Sequence, residues 1–423
     1  MEYDVIVIGA GAAGLMAAGE AALEGHSVLV LEKMEKAARK VRISGKGRCN
    51  LTNTRPREEF LEKVRSGRDF FAPAFDQFDN RRTFTFFRKQ GVPLEVERGE
   101  RVFPRSGKAW DIANALVEWV EESGAKIEYH TSVERILTVG GQIFGVEVLN
   151  RKGFVRKFEC SKIILATGGA SYPSTGSTGD GYRLAHDLGH SIEPIRPSLV
   201  ALVSSLPAIH SLEGMSLRNV GARLVVDGQT VREEFGELDF SSRGVEGAVI
   251  LRVSRDAVDA LIDGHRVEVE LDLKPALDVE TLRERIVRER EALPDVARLG
   301  ELLRKLMPAP LVEVIAAEVG RPSSARMNSL DQSVFERVIE LLKRFTLPID
   351  DYGPFDQAVV TAGGISLEEV DPQTLQSRIL PGLYLAGEVL DIDADTGGYN
   401  LQIAFSTGRL AGRLLGSTKP AKS

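Results

Sequence analysis

Seven residues near the start of the chain have the types and spacing to hold a dinucleotide. Gly9-Ala10-Gly11-Ala12-Ala13-Gly14 is a GxGxxG turn, and Glu32 follows about twenty residues later. Gly9 permits a tight turn, Gly11 lets backbone approach a pyrophosphate, and Gly14 lets a helix pack closely on a strand. Ala12 and Ala13 belong to the same phosphate turn, where a helix N-terminus faces the anion. The Glu32 carboxylate can accept hydrogen bonds from ribose hydroxyls, and Lys33 beside it adds a cation. These groups need elements to place them. The apolar run Val5 to Ile8 suits a strand buried on both faces, Leu15 to Glu24 suits a helix, and Ser27 to Leu31 suits a second strand. Strand, turn, helix, strand and acid in that order are far more specific than glycines alone.

The 423 residues predict two or three domains. No apolar run approaches the length of a membrane helix, so no membrane partner is expected. An acidic second residue and the early glycines argue against a signal peptide, which implies a cytoplasmic protein. Cys49 and Cys160 are far apart with no CxxC pair, and the six histidines show no ligand spacing, so no metal site is expected. The formal net charge of -7 is uneven. Residues 33–108 hold 20 Lys and Arg against 10 Asp and Glu, a surface for an anionic partner or a source of cations for cofactor phosphates.

The pattern predicts an α/β fold: a Rossmann-like dinucleotide-binding domain over 1–190 plus 350–423, interrupted by insertions. An antiparallel, barrel-like β domain is expected over 191–275, with Ala222–Val226 and Val267–Leu273 as strands and Asp227-Gly228 as a hairpin turn. A charged helical domain is expected over 276–349, including Thr281–Arg290. In the outer domain, Asp111–Ser123 reads as a helix, Gly140-Gly141 as a tight turn, Gln357–Thr361 as a strand, and Asn400–Leu415 as a final helix.

FAD fits better than NAD. Only one fingerprint is present. Ala166-Thr167-Gly168-Gly169 resembles the internal ATG segment of FAD proteins of the glutathione-reductase type. Pro381-Gly382-Leu383-Tyr384-Leu385-Ala386-Gly387-Glu388 resembles their late strand, whose acidic end meets the ribityl chain. Gly398, Asn400 and Leu401 then open the last helix, whose amide groups suit the edge of a flavin ring.

Arg42-Ile43-Ser44-Gly45-Lys46-Gly47-Arg48-Cys49-Asn50-Leu51-Thr52-Asn53 resembles the hallmark loop of the BaiN-like (YhiN-like, RdsA-type) flavoproteins. Arg101–Pro104, Ser171–Gly181, Thr361–Ile365 and Ala386–Gln402 agree as well, so the resemblance spans essentially the whole chain. One departure is Lys46, where the family commonly has glycine. The resemblance implies an oxidoreductase holding FAD, reduced by NADH or NADPH bound transiently, and acting on a carbon–carbon double bond conjugated to a carbonyl. It implies FAD contacts at Val133 and along Ser44, Gly45, Gly47 and Arg48. Its two branches imply two substrates: uridine of ribosomal RNA, giving dihydrouridine, or a small enone such as an unsaturated keto-steroid. A flavin-binding redox sensor without a carbon substrate is a further alternative.

For catalysis, Cys49 is a candidate proton donor, Arg48 a partner for phosphate or substrate oxygen, and Asn50 a hydrogen-bonding partner of the flavin. Each has a plain structural alternative: a buried thiol, an ion-paired cation, a turn residue. RNA contact through 33–108 would use its cations on phosphates and its phenylalanines (Phe70, Phe71, Phe75, Phe78, Phe84, Phe86, Phe87) on bases. The same residues can instead form core. The sequence assigns no oligomeric state.

Overall fold

Apolar β-branched runs that alternate with small-residue helices build a doubly wound sheet, and the computed structural model shows one. It describes residues 2–150, 152–294 and 296–416. The chain divides into two compact units, one ending at Pro197 and resuming at Phe355, the other spanning Ser198–Pro354.

In the first unit, β1 (Glu2–Ile8) leads through α1 (Ala12–Leu23) to β2 (Val28–Leu31). After β2 come α2 (Arg39–Gly47), α3 (Ala109–Glu122), β3 (Lys126–Glu128), β4 (Thr131–Val139), β5 (Gln142–Asn150) and β6 (Val155–Leu165). Near the end of the chain follow β7 (Leu383–Leu385) and α4 (Tyr399–Gly412). The sheet order is β3-β2-β1-β6-β5-β4, and β7 also pairs with β6. β3, β2, β1 and β6 run parallel, with Val7 beside Val30 on one side and Ile164 on the other. On the edge away from β1, β6 serves two neighbours: residues 155–159 pair antiparallel with β5, and residues 163–165 pair parallel with β7. Val5 to Ile8 and all of β2 are buried, as two covered faces require.

Helix α1 is buried at every position from Ala12 to Ala21 because it is packed on several sides. A side chain at Gly408 or Gly412 of α4 would strike the backbone of Ala13 or Ala17, so these glycines set the close approach of α1 and α4. The Gly140-Gly141 turn is present, with Val139 opposite Gln142. The late strand forms at Val360–Ile365, later than Gln357–Thr361, and it includes the two glycines expected to follow it. It pairs with Ile192–Ser198, and a side chain at Gly363 would lie 2.2 Å from the Pro194 carbonyl oxygen.

The second unit holds a closed six-stranded antiparallel barrel. The Asp227-Gly228 turn is present, joining Ser216–Val226 to Gln229–Phe240. The final barrel strand, Phe345–Tyr352, comes after the helical segment and inserts between Leu202–Ser204 and Val267–Asp272. Barrel residues Leu224, Val269 and Leu347 share one hydrophobic core with Leu302, Leu303 and Val338 of the helices. Barrel and helical segments therefore form a single unit.

Candidate functional site

The first unit contains a cleft enclosing about 1400 Å³, counting the solvent at its mouth. Its floor is the turn after β1. Gly9 has φ +100°, and a Cβ there would lie 2.6 Å from the Ala166 carbonyl oxygen. A Cβ on Gly14 would sit 1.9 Å from the Gly9 carbonyl oxygen. Gly11 differs: a Cβ there would meet nothing within 4 Å. Two of the glycines therefore serve packing, and the third leaves open the space that a ligand's phosphates would fill. Gly11 also begins α1 without any capping side chain, and Gly398 likewise begins α4. Ala12 and Ala13 of one helix and Asn400 and Leu401 of the other line the cleft, so two uncapped N-termini open on it.

Glu32, also in the wall, accepts from the amides of Ala10 and Met34, each at 2.8 Å. Burial raises its carboxyl, and these two donors oppose the rise. Lys33 donates to Thr178 and to Asp180. Burial alone would raise Asp180, yet Lys33 and Thr178 bring it below its ordinary value.

Glu388 is the junction of three wall segments. Its Oε1 accepts from the Thr361 amide at 2.8 Å and from the Ser171 hydroxyl at 3.0 Å, and Lys40 Nζ lies 2.9 Å from Oε2. Lys40 also donates to Ser171 Oγ at 2.6 Å. Burial pushes the Glu388 carboxyl up, but Lys40 and these hydrogen bonds hold it below the usual carboxylate range. The sequence reading assigned Glu388 to the cofactor; the structure shows its oxygens already bound to protein groups. Asn400 is similarly engaged, exchanging hydrogen bonds with the backbone of Ala394.

Ser44, Val133, Ala166, Thr167 and Gly168 line the cleft with the residues above. Gly14, Gly387 and Gly398 do not; they act through packing, since a Cβ on Gly387 would meet Ala13 and one on Gly398 would meet Thr52. Gly45 and Gly47 are also outside the wall. They belong to a left-handed turn that breaks α2, with φ +57° at Gly45, +56° at Lys46 and +83° at Gly47. The left-handed backbone at Lys46 is one that favours glycine, and the lysine side chain there is exposed.

The three catalytic candidates are not among the cleft-lining residues. Arg48 is ion-paired to Glu97, with its guanidinium 4.4 Å from the Phe103 ring centre. Cys49 has no exposed surface, and burial pushes its thiol up to about 12. Asn50 Oδ1 is a buried acceptor with no donor among the described residues. The phenylalanines of 33–108 are also inward: Phe71, Phe75, Phe78, Phe86 and Phe87 are buried, and Phe70 and Phe84 pack against the same core. Sequence reasoning missed Lys36, Arg39 and Lys40 as cleft residues. Their signal was the dense positive charge just after Glu32.

The fold and cleft define the chain as a dinucleotide-binding α/β protein of the Rossmann type. The HI0933-like protein Rossmann domain family matches residues 3–414, and the chain belongs to that family. It is 32% identical over 416 residues to a 3-dehydro-bile acid delta(4,6)-reductase of Clostridium scindens, covering 96% of this chain and 97% of that protein. It is 28% identical over 408 residues to a ribosomal RNA dihydrouridine synthase of Escherichia coli, covering 96% of each. The fold is also that of a 3-ketosteroid delta1-dehydrogenase from Sterolibacterium denitrificans (TM-score 0.54, 15% identity, 97% of this chain and 99% of that one).

Proposed function

We propose that this protein is an FAD-dependent oxidoreductase that uses NADH or NADPH to reduce a carbon–carbon double bond conjugated to a carbonyl. The observation that carries the reading is the convergence on one cleft of the Gly11 gap, the Glu32 carboxylate and two uncapped helix N-termini. FAD, when bound, supplies hydride transfer. The α1 N-terminus would hold its pyrophosphate, Glu32 its ribose, and the α4 N-terminus would favour negative charge on its ring. Lys40 would keep Glu388 ionised, and so hold the Ala170–Ser171 and Thr361 segments together. The position of Cys49 makes it a packing residue in this reading rather than a proton donor.

A small enone is the first substrate reading. The relative named as a bile acid reductase is the more similar of the two over nearly full length, and the buried phenylalanines offer bases no stacking surface. Ribosomal uridine is the second, because its C5=C6 bond is conjugated to a carbonyl in the same way and a relative named as a ribosomal RNA dihydrouridine synthase is similar over nearly its full length.

The test is anaerobic spectroscopy of the purified protein. The expected result is a bound flavin that NADH or NADPH bleaches, and that regains colour with an enone or a uridine-containing RNA. A folded protein that takes up no FAD would overturn the reading. A flavin that neither substrate reoxidises would favour the redox sensor. Loss of one ribosomal dihydrouridine in a gene deletion, restored by the gene, would favour RNA over the enone.

A further inference from the structure

One exposed aromatic lies beside the cleft with two cations on it. Trp110, the second residue of α3, is 48% exposed, whereas most large apolar side chains nearby are buried. The Arg42 guanidinium sits 4.3 Å from its ring centre and Lys36 Nζ 5.3 Å. Arg42 is held in place: Nη1 donates to Asn114 Oδ1 at 2.9 Å and Nε to the Ala37 carbonyl at 3.2 Å. Lys36 is exposed and also lines the cleft, so the cluster is continuous with the cleft wall.

Of the neighbouring cations in the same segment, Arg39 is paired with Glu35, Arg48 with Glu97 and Lys40 with Glu388, whereas the exposed Lys46 has no carboxylate partner and no aromatic ring beside it among the described residues. Among the described residues neither Lys36 nor Arg42 is paired with a carboxylate. Helix α3, fourteen residues long, follows Lys108 and carries Asp111 in its first turn, where Ser106 donates to that carboxylate. A flat, exposed ring flanked by two uncompensated cations matches a ligand that joins an aromatic base to phosphate.

We infer that Lys36, Arg42 and Trp110 form a docking platform for a nucleotide: a base packed at the indole and a phosphate on the two cations. The inference rests on the proposed function, whose second substrate or reductant would have to approach this cleft. Two sources carry that chemistry, the reduced nicotinamide dinucleotide and RNA.

The experiment titrates FAD-loaded protein with NADP⁺ and, separately, with a short uridine-containing RNA, by calorimetry. Trp110→Ala, Trp110→Phe and Arg42→Gln are compared with the unaltered chain. The chain has two tryptophans, and Trp119 is buried, so quenching of the exposed indole provides a second readout. The expected result is binding of at least one ligand, weakened about 10-fold by Trp110→Ala and by Arg42→Gln, and largely retained by Trp110→Phe. The affinity should fall with added salt, less steeply in Arg42→Gln. Binding of NADP⁺ alone identifies the platform with the reductant, and binding of RNA alone with the substrate. No binding of either ligand, or equal binding by all variants, would overturn the inference. Failure of the flavin reading is seen separately, as absence of FAD from the unaltered protein.

Discussion

Residues 33–48 and the helix Val279–Glu291 each carry eight charged residues, yet the structure uses them differently. In the first region, Lys33 and Lys40 reach Asp180 and Glu388, which lie 147 and 348 residues away. Those pairs stand in a cleft wall. In the second region, Arg283 pairs with Glu280 three residues before it and with Glu336 of a neighbouring helix, on exposed faces. Density of charge therefore does not mark a site. What sets Lys33 and Lys40 apart is that their distant partners, Asp180 and Glu388, line the same cleft, whereas the partly buried long-range pair Arg409–Glu20 lies outside it.

The largest effect should come from breaking the long-range pair. Lys40→Met is expected to leave Glu388 without its cation, cost roughly 2 kcal/mol of stability, and weaken FAD binding by about 10-fold or more. Glu388→Gln, which removes a negative charge from the cleft and frees Lys40, should weaken binding less. Equilibrium dialysis of FAD with a thermal melt of the apoprotein checks both. The pH dependence has a definite sign. The folded Glu388 carboxyl lies below its unfolded value of about 4.3, so its contribution is present at neutral pH. It should fade as pH falls below about 4, and Lys40→Met should flatten that loss.

An intermediate effect is expected at Cys49. Cys49→Ala should lower stability by about 1 kcal/mol through lost core packing and leave turnover within about 2-fold. The native thiol, sealed and pushed up to about 12, should react slowly with thiol reagents until the protein unfolds. A large loss of kcat with unchanged stability would restore Cys49 as a proton donor. The smallest effect belongs to the local pairs: Arg283→Ala should change stability by less than about 0.5 kcal/mol in a denaturant titration. An effect as large as that of Lys40→Met would erase the distinction between the two regions.

Much of the fold was legible because its signals are local. The fingerprint, the Gly140-Gly141 and Asp227-Gly228 turns and the terminal helix follow from backbone rules within a few residues. The final barrel strand was not separable from the helical segment before it, since Phe345, Leu347 and Ile349 gain meaning only against strands more than 70 residues earlier. The site divided in the same way. Gly9, Gly11, Glu32 and the Ala166–Gly168 segment were read in advance and line the cleft. Arg48, Cys49 and Asn50 lie in the most distinctive motif and do not line it, because their loop turns left-handed at Gly45 to Gly47 and directs Cys49 into the core.

By itself, the sequence determined that a β-strand, a glycine turn and a helix would present backbone amides to an anion, because φ angles and side-chain volume act over adjacent residues. Only the tertiary structure decided which charges face the cleft and which face water. Lys40 and Glu388 meet because β7 pairs with β6 and brings the end of the chain beside its beginning, and no local preference encodes a distance of that kind.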